Sequence, residues 1–209
     1  MSKILDFKAD KLQVYAYDTR EEMGIAAARD AEQKIKDIVA AKGEVNAIFA
    51  AAPSQQDFLK ALLSSDIDFS KINAFHMDEY IGLDKDAPQG FGNFLRDAIF
   101  SKKEFKSINY INGQNPDPGK ECERYAQLLK DNPPDIVLGE NGHLAFNDPP
   151  VADFNDPLAV KVVGLDDVCR QQQVNDGCFA KLDEVPKTAI TLTMSQIMKV
   201  KCSLAIVPR

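Results

Sequence analysis

The chain has no apolar run approaching the ~20 residues that a membrane-spanning helix requires, and its start, Met1 to Asp6, carries no sustained apolar stretch of the kind a leader needs. A soluble chain in the cytoplasm is the expectation. Basic residues are outnumbered, 25 to 32, for a net charge of −7. A nucleic-acid backbone or an anionic membrane would need clustered positive charge, so neither is expected as a partner. Cysteine is sparse: Cys122, Cys169, Cys178 and Cys202 stand far apart, with no histidine near any of them. That spacing offers neither a zinc ligand set nor a redox pair, and it points to reduced thiols. There is no internal repeat and no low-complexity tract. Histidine occurs only twice, as His76 and His143.

What is present is a mixed chain with 44% hydrophobic residues, enough for a sizeable core, and with no compositional break to mark a linker. One domain over 1–209 is expected. Short β-rich runs alternate with helical patterns. Leu12 to Tyr17 reads as a strand, and Asp18 with Glu21 has the spacing of a capping box. Met23, Ala27, Ala31, Ile35 and Ile38 then keep helical spacing up to a stop at Gly43, and Val45 to Phe49 is the next strand. Further strands are predicted at 72–77, 108–111, 135–138, 159–163, 188–192 and 203–207. Helices are predicted around Phe58 to Leu63, Phe94 to Phe100, from Pro118 through Leu129, and over 195–200. Alternation of this kind implies a parallel sheet covered on both faces.

Both histidines stand where a predicted strand becomes a polar loop. The first is in Phe75-His76-Met77-Asp78-Glu79-Tyr80, and the second is in Gly139-Glu140-Asn141-Gly142-His143-Leu144-Ala145-Phe146-Asn147-Asp148-Pro149. Loops at the C-terminal ends of parallel strands gather over one edge of the sheet, where ligands bind. A shielded carboxylate such as Asp78 suits a general base for carbon next to a carbonyl, and His143 suits proton transfer at a ring oxygen with Asp148 orienting it. Gly139 and Gly142 allow backbone N–H groups to approach an anion closely. The plainer alternatives stay open: His76 as a satisfied polar residue, Asp78 and Glu79 as turn caps, and Asp148 as turn chemistry before two prolines.

These two segments resemble the signature segments of the glucosamine-6-phosphate deaminase (isomerase) family. Asp86-Ala87-Pro88-Gln89, Asn93-Phe94-Leu95 and Val185 to Thr193 are similar to the family in order and spacing, so the resemblance runs from about Asp18 to Val207. It implies a three-layer αβα sandwich with a Rossmann-like, mostly parallel sheet, and an enzyme that needs no cofactor or metal. The implied reaction opens an amino sugar phosphate, moves a proton between C1 and C2, and releases ammonia to leave a ketose phosphate. By position, Asp78 would be the base at C2 and His143 the ring-opening catalyst, with Asn141 and Asp148 around it. Ser54, Gln55, Glu79, Gly142 and Arg170 are the candidate substrate contacts. The related 6-phosphogluconolactonases share the fold but differ at the equivalents of Tyr80 and of Leu144 to Asn147.

The chain departs from the family pattern in several places. Asn141 stands where Asp is common, and Asp148 stands where the family has Glu. The loop Phe49-Ala50-Ala51-Ala52-Pro53-Ser54-Gln55-Gln56 is poor in glycine where the family has a Gly and Ser/Thr turn, and Asn175 falls near the family's Arg. An Asn cannot reproduce the bidentate contact of an Arg with phosphate. Gln171, Gln172 and Gln173 suit a neutral ligand group as readily as a charged one. Against the family the chain is expected to lack a few residues between Val137 and Leu138 and more after Arg209. The expected partner is a small-molecule sugar or sugar phosphate, and a homo-oligomer is compatible with the sequence. A catalytically silent sugar-binding or regulatory relative and a lactonase-like hydrolase are the competing readings.

Overall fold

A computed structural model describes residues 3–140 and 144–208. Its centre is a five-stranded, wholly parallel sheet built from β3 (Val45–Phe49), β4 (Ile72–His76), β6 (Ser107–Asn109), β7 (Ile136–Glu140) and β10 (Cys202–Ala205), in the order β10-β7-β3-β4-β6. The period of two that made these segments legible now sorts their side chains. Val45, Ala47, Phe49, Ile72, Ala74, Ile136 and Leu138 face one core, while Ile48, Phe75 and Val137 face another. The first core is closed by α1 (Arg20–Lys42), α2 (Gln56–Leu63) and α3 (Phe91–Leu95), which runs on as a π-helical turn to Phe100. The second is closed by α4 (Pro118–Asp131) through Cys122, Tyr125 and Leu129. The result is a Rossmann-like sheet flanked by helices.

Several expectations are corrected. An N-terminal strand β1 (Leu5–Ala9) pairs antiparallel with β2 (Leu12–Ala16), and this hairpin is largely exposed. The cap of α1 is Thr19, not Asp18: Thr19 is extended and its side chain accepts the Glu22 N–H at 3.1 Å. Two segments expected in the parallel sheet, β8 (Val160–Gly164) and β9 (Thr188–Leu192), form a separate antiparallel sheet with β5 (Asp78–Tyr80), in the order β5-β9-β8. The reason is a bend at Met77 that ends β4 and swings the chain away from β3. Ile190, Leu192 and Val160 close the second core, while Ala189 and Val163 help to bury a third cluster with α5 (Asp167–Asn175). A short α6 (Met194–Ile197) leads to β10. In β7, Val137 and Leu138 pair in register with both neighbours, and the register with β10 shifts only beyond Leu138.

Among the described residues, no helix is long and apolar enough to cross a membrane. All four cysteines are free.

Candidate active site

From β3 the chain proceeds outward through β4 and β6, then returns to place β7 on the other side of β3. The topological switch therefore falls between β3 and β7, and loops leaving their C-terminal ends must diverge and open a crevice. The Ala50 N–H still reaches the Leu138 carbonyl at 2.9 Å, after which the two chains separate. A cavity of about 260 Å³ lies there. Ala50 to Pro53 and Gly139 form its floor, Met77 and Asp78 one wall, and Gln172, Gln173 and Asp176 from the end of α5 another. Gly139 and Ala145, which bracket residues 141–143 in the chain, both line it. Gly139 has a φ of +87°, and a Cβ there would stand 2.7 Å from Gln55 Oε1, so glycine is required twice over. Ala145 has φ +54°, a strained conformation for a residue with a side chain that costs on the order of 1 kcal/mol. It is held by the Phe146 N–H donating to Thr191 Oγ1 and by Asn147 Nδ2 donating to the Leu144 and Leu192 carbonyls.

Asp78 is 9% exposed. No hydrogen bond from a described residue reaches its carboxylate oxygens, and burial, with a smaller contribution from the neighbouring Glu79 charge, pushes its pKa well above the ordinary carboxylate range. What holds it in place is His76. The Ile111 N–H donates to His76 Nε2 at 3.0 Å, which fixes the ring proton on Nδ1, and that proton is donated to the Asp78 carbonyl at 2.9 Å. His76 thus ties the bend after β4 to the end of β6. The ring is fully buried and its pKa is pushed down to about 4 by that burial, so it is a neutral clamp. Tyr125 closes the same joint, its hydroxyl accepting from the His76 N–H at 2.9 Å.

Strand alternation separates the next two residues. Tyr80 lies against Phe91, Phe146 and Phe179, and its hydroxyl donates to Gln173 Oε1 at 3.0 Å. Glu79 points to the other face, where its two oxygens accept the N–H groups of Tyr80, Phe91 and Gly92 at 3.0, 3.0 and 2.8 Å. Glu79 is therefore the cap of α3 and does not share the cavity of Asp78. It borders instead a second cavity of about 300 Å³ with Asn93, Arg96 and Tyr110.

The structure also relocates two other expected substrate contacts. Arg170 is 6% exposed, and its guanidinium donates to the carbonyls of Val185 and Leu182 at 3.2 and 2.7 Å and to Asp167 at 3.0 Å. It clasps the 182–185 loop onto α5 instead of facing the cavity. Arg170→Lys should therefore lower stability by about 1–3 kcal/mol in urea unfolding, because a single ammonium cannot serve that fork, while KM stays within about two-fold. A large rise in KM with unchanged stability would contradict this placement. Gln55 is 0% exposed, and its Nε2 donates to Ser54 Oγ and, at 3.1 Å, to the Ile206 carbonyl. It thus pins the turn after β3 to the chain beyond β10. Pro53 is the member of that turn that lines the cavity, alongside Ala52, and neither Ser54 nor Gln55 does.

Asp148 lies near the Cys169 thiol, whose pKa is pushed up to about 12 by burial and by that carboxyl. Asn141, Gly142 and His143 lie outside the described residues. Among the described residues, no three His, Cys, Asp or Glu side chains gather as a metal site. Phe91, Ala145, Phe146, Asp176 and Cys178 also line the cavity but carry little signal in the sequence: four are small or apolar, and Asp176 falls in a segment without an apolar helical stripe. The Gln172 and Gln173 pair was noticed, and both line the cavity.

A parallel sheet with a buried carboxylate over its switch point, unpaired among the described residues, defines an α/β protein of the Rossmann-like class with a candidate proton-transfer site. Comparison with known proteins specifies which branch. A glucosamine-6-phosphate deaminase of Streptococcus pneumoniae is 35% identical over 155 residues, covering 73% of this chain and 64% of that protein. One of Listeria innocua is 36% identical over 163 residues, covering 76% and 68%. Among solved structures, a monomeric glucosamine-6-phosphate deaminase superposes with a TM-score of 0.79 at 27% identity, over 90% of this chain and 79% of that one. A 6-phosphogluconolactonase from Thermotoga maritima shares the fold, with a TM-score of 0.63 at 17% identity over 82% and 73%. No protein-family model matches. The chain belongs to the glucosamine-6-phosphate deaminase family, and it spans 64% of the length of its pneumococcal relative.

Proposed function

We propose that this chain carries the proton-transfer machinery of an aldose–ketose isomerising deaminase that acts in the cytoplasm on an amino sugar or its phosphate. The observation that supports this best is Asp78: a buried carboxylate without a hydrogen-bond partner among the described residues, at the wall of the crevice, with its pKa raised well above the ordinary carboxylate range, as suits a base that must both accept and return a proton. In this reading His143 opens the sugar ring by moving a proton to the ring oxygen, with Asn141 and Asp148 orienting it. Asp78 then takes the C2 proton, and the electron pair forms the enolamine. Proton return at C1 leaves an iminium at C2. Water adds there, the C–N bond breaks, and ammonia departs with the ketose. Every step is acid–base chemistry, and no cofactor is called for.

The test is ammonia release from a panel of phosphorylated and unphosphorylated amino sugars by the folded protein. Release from at least one, lost in Asp78→Asn, is the expected result. Failure with all of them would remove the deaminase reading. A sugar-binding relative without turnover is the second reading, favoured by the commitment of Arg170 to structure. Calorimetric binding without ammonia release would establish it.

A further inference from the structure

The relatives are named for a phosphorylated sugar, yet the cavity beside Asp78 is built in a way that disfavours a phosphate. Its α5 wall is the C-terminal end of that helix, where the peptide dipoles present their negative pole, and the C-cap residue there is itself a carboxylate, Asp176. One turn back, Gln172 and Gln173 present amides. Tyr80 holds Gln173 by its carbonyl oxygen at 3.0 Å, which leaves the amide NH2 as the end available to a ligand. The guanidinium that the same helix carries, that of Arg170, is turned to the 182–185 loop. At the floor, Pro53 brings no N–H. The Gln55 and Gln56 N–H groups, which would cradle an anion at the start of α2, donate instead to the Ala52 and Pro53 carbonyls. Asp78 faces the same space.

Resting on the deaminase reading above, we infer that the site takes an unphosphorylated 2-amino-2-deoxyhexose. Gln172, Gln173 and Asp176 bind its hydroxyls and select against a phosphate ester. A neutral polyol end satisfies the amide donors and the carboxylate together, whereas a phosphate dianion meets Asp176 and the helix C-terminus as like charges.

The probes are D-glucosamine and D-glucosamine 6-phosphate, titrated calorimetrically into the Asp78→Asn protein so that turnover cannot intervene. Glucosamine should bind at least ten-fold more tightly than its 6-phosphate at low ionic strength. Asp176→Asn should narrow that ratio, and Asp176→Arg should reverse it, with circular dichroism confirming that both variants fold. Equal or tighter binding of the 6-phosphate by the Asp78→Asn protein would overturn the inference, as would binding of neither sugar. Ammonia release by the wild-type protein is a separate readout. If it is faster from the 6-phosphate, the substrate inference fails and the deaminase reading stands. If there is none from either sugar, the deaminase reading fails while the binding preference still reports on Asp176.

Discussion

Asp78→Asn should reduce turnover by roughly 100- to 10,000-fold, the range lost when a positioned general base is removed. That corresponds to about 3–5 kcal/mol of barrier. KM should change little, because the carboxylate is asked to act on the C–H bond in the transition state and not to hold the sugar. The fold should tolerate the change well. Asp78 is buried without a hydrogen bond to its carboxylate from the described residues, so its ionised form is tolerated in the folded state only at a desolvation cost. Its folded pKa lies above the ordinary 3.8. As pH rises the unfolded chain loses this proton first, so the contribution of Asp78 to stability is greatest at low pH and is lost as pH climbs from 3.8 through the raised value. An amide does not ionise, and the Asn variant should melt at or above the wild-type temperature at neutral pH. Activity in the wild type should rise with pH through the same raised pKa, because only the ionised carboxyl can accept the C2 proton. Full activity at pH 4, or an Asn variant with more than a tenth of wild-type kcat, would remove Asp78 from the mechanism.

The parts of this molecule that were legible in the sequence are those governed by local pattern. The strands β3, β4 and β7 alternate or run apolar between clear turns, and α1 and α4 carry apolar residues at helical spacing. Asp78 stood out because a carboxylate follows a strand. β1 did not, because its Leu5 and Phe7 point to a largely exposed hairpin face and the turn is made by Asp10 at φ +53° without a glycine to announce it. α5 was also passed over as a helix, since the residues it buries include Arg170 and Gln173 instead of an apolar stripe. The same limit hides the contacts that three of the candidate residues make within the fold. Glu79, Gln55 and Arg170 each looked like a polar side chain in search of a ligand. Besides the nearby side chains of Asp167 and Ser54, their partners are backbone groups brought in from Phe91 and Gly92, from Ile206, and from Leu182 and Val185. Such partners carry no side-chain signature, and only the tertiary path of the chain reveals them.

His76→Phe should cost about 3–5 kcal/mol, or a fall of roughly 10–15 °C in Tm, because it leaves two buried backbone groups, the Ile111 N–H and the Asp78 carbonyl, without their partner. The histidine also writes a signature into the pH dependence of stability, with a sign opposite to that of Asp78. Its folded pKa is about 4 against 6.5 in the unfolded chain. The unfolded state therefore takes up the proton first as pH falls, and the His76 contribution, complete above 6.5, is lost on the way down to about 4, by some 3 kcal/mol in all. The structural reason is that a second ring proton on Nε2 would confront the Ile111 N–H, donor against donor. Over the same interval Asp78 gains as the pH falls, so in the wild type the two neighbours partly cancel. Removing Asp78 should expose the His76 slope, approaching about 1.4 kcal/mol per pH unit between 4 and 6.5, and removing His76 should leave the reverse slope of Asp78. Urea unfolding of wild type, Asp78→Asn and His76→Phe from pH 4 to 7 reads all three curves. A flat profile for Asp78→Asn would mean that His76 takes up its proton inside the fold. The clamp that sets the Asp78 backbone would then have to be sought elsewhere than in a neutral imidazole.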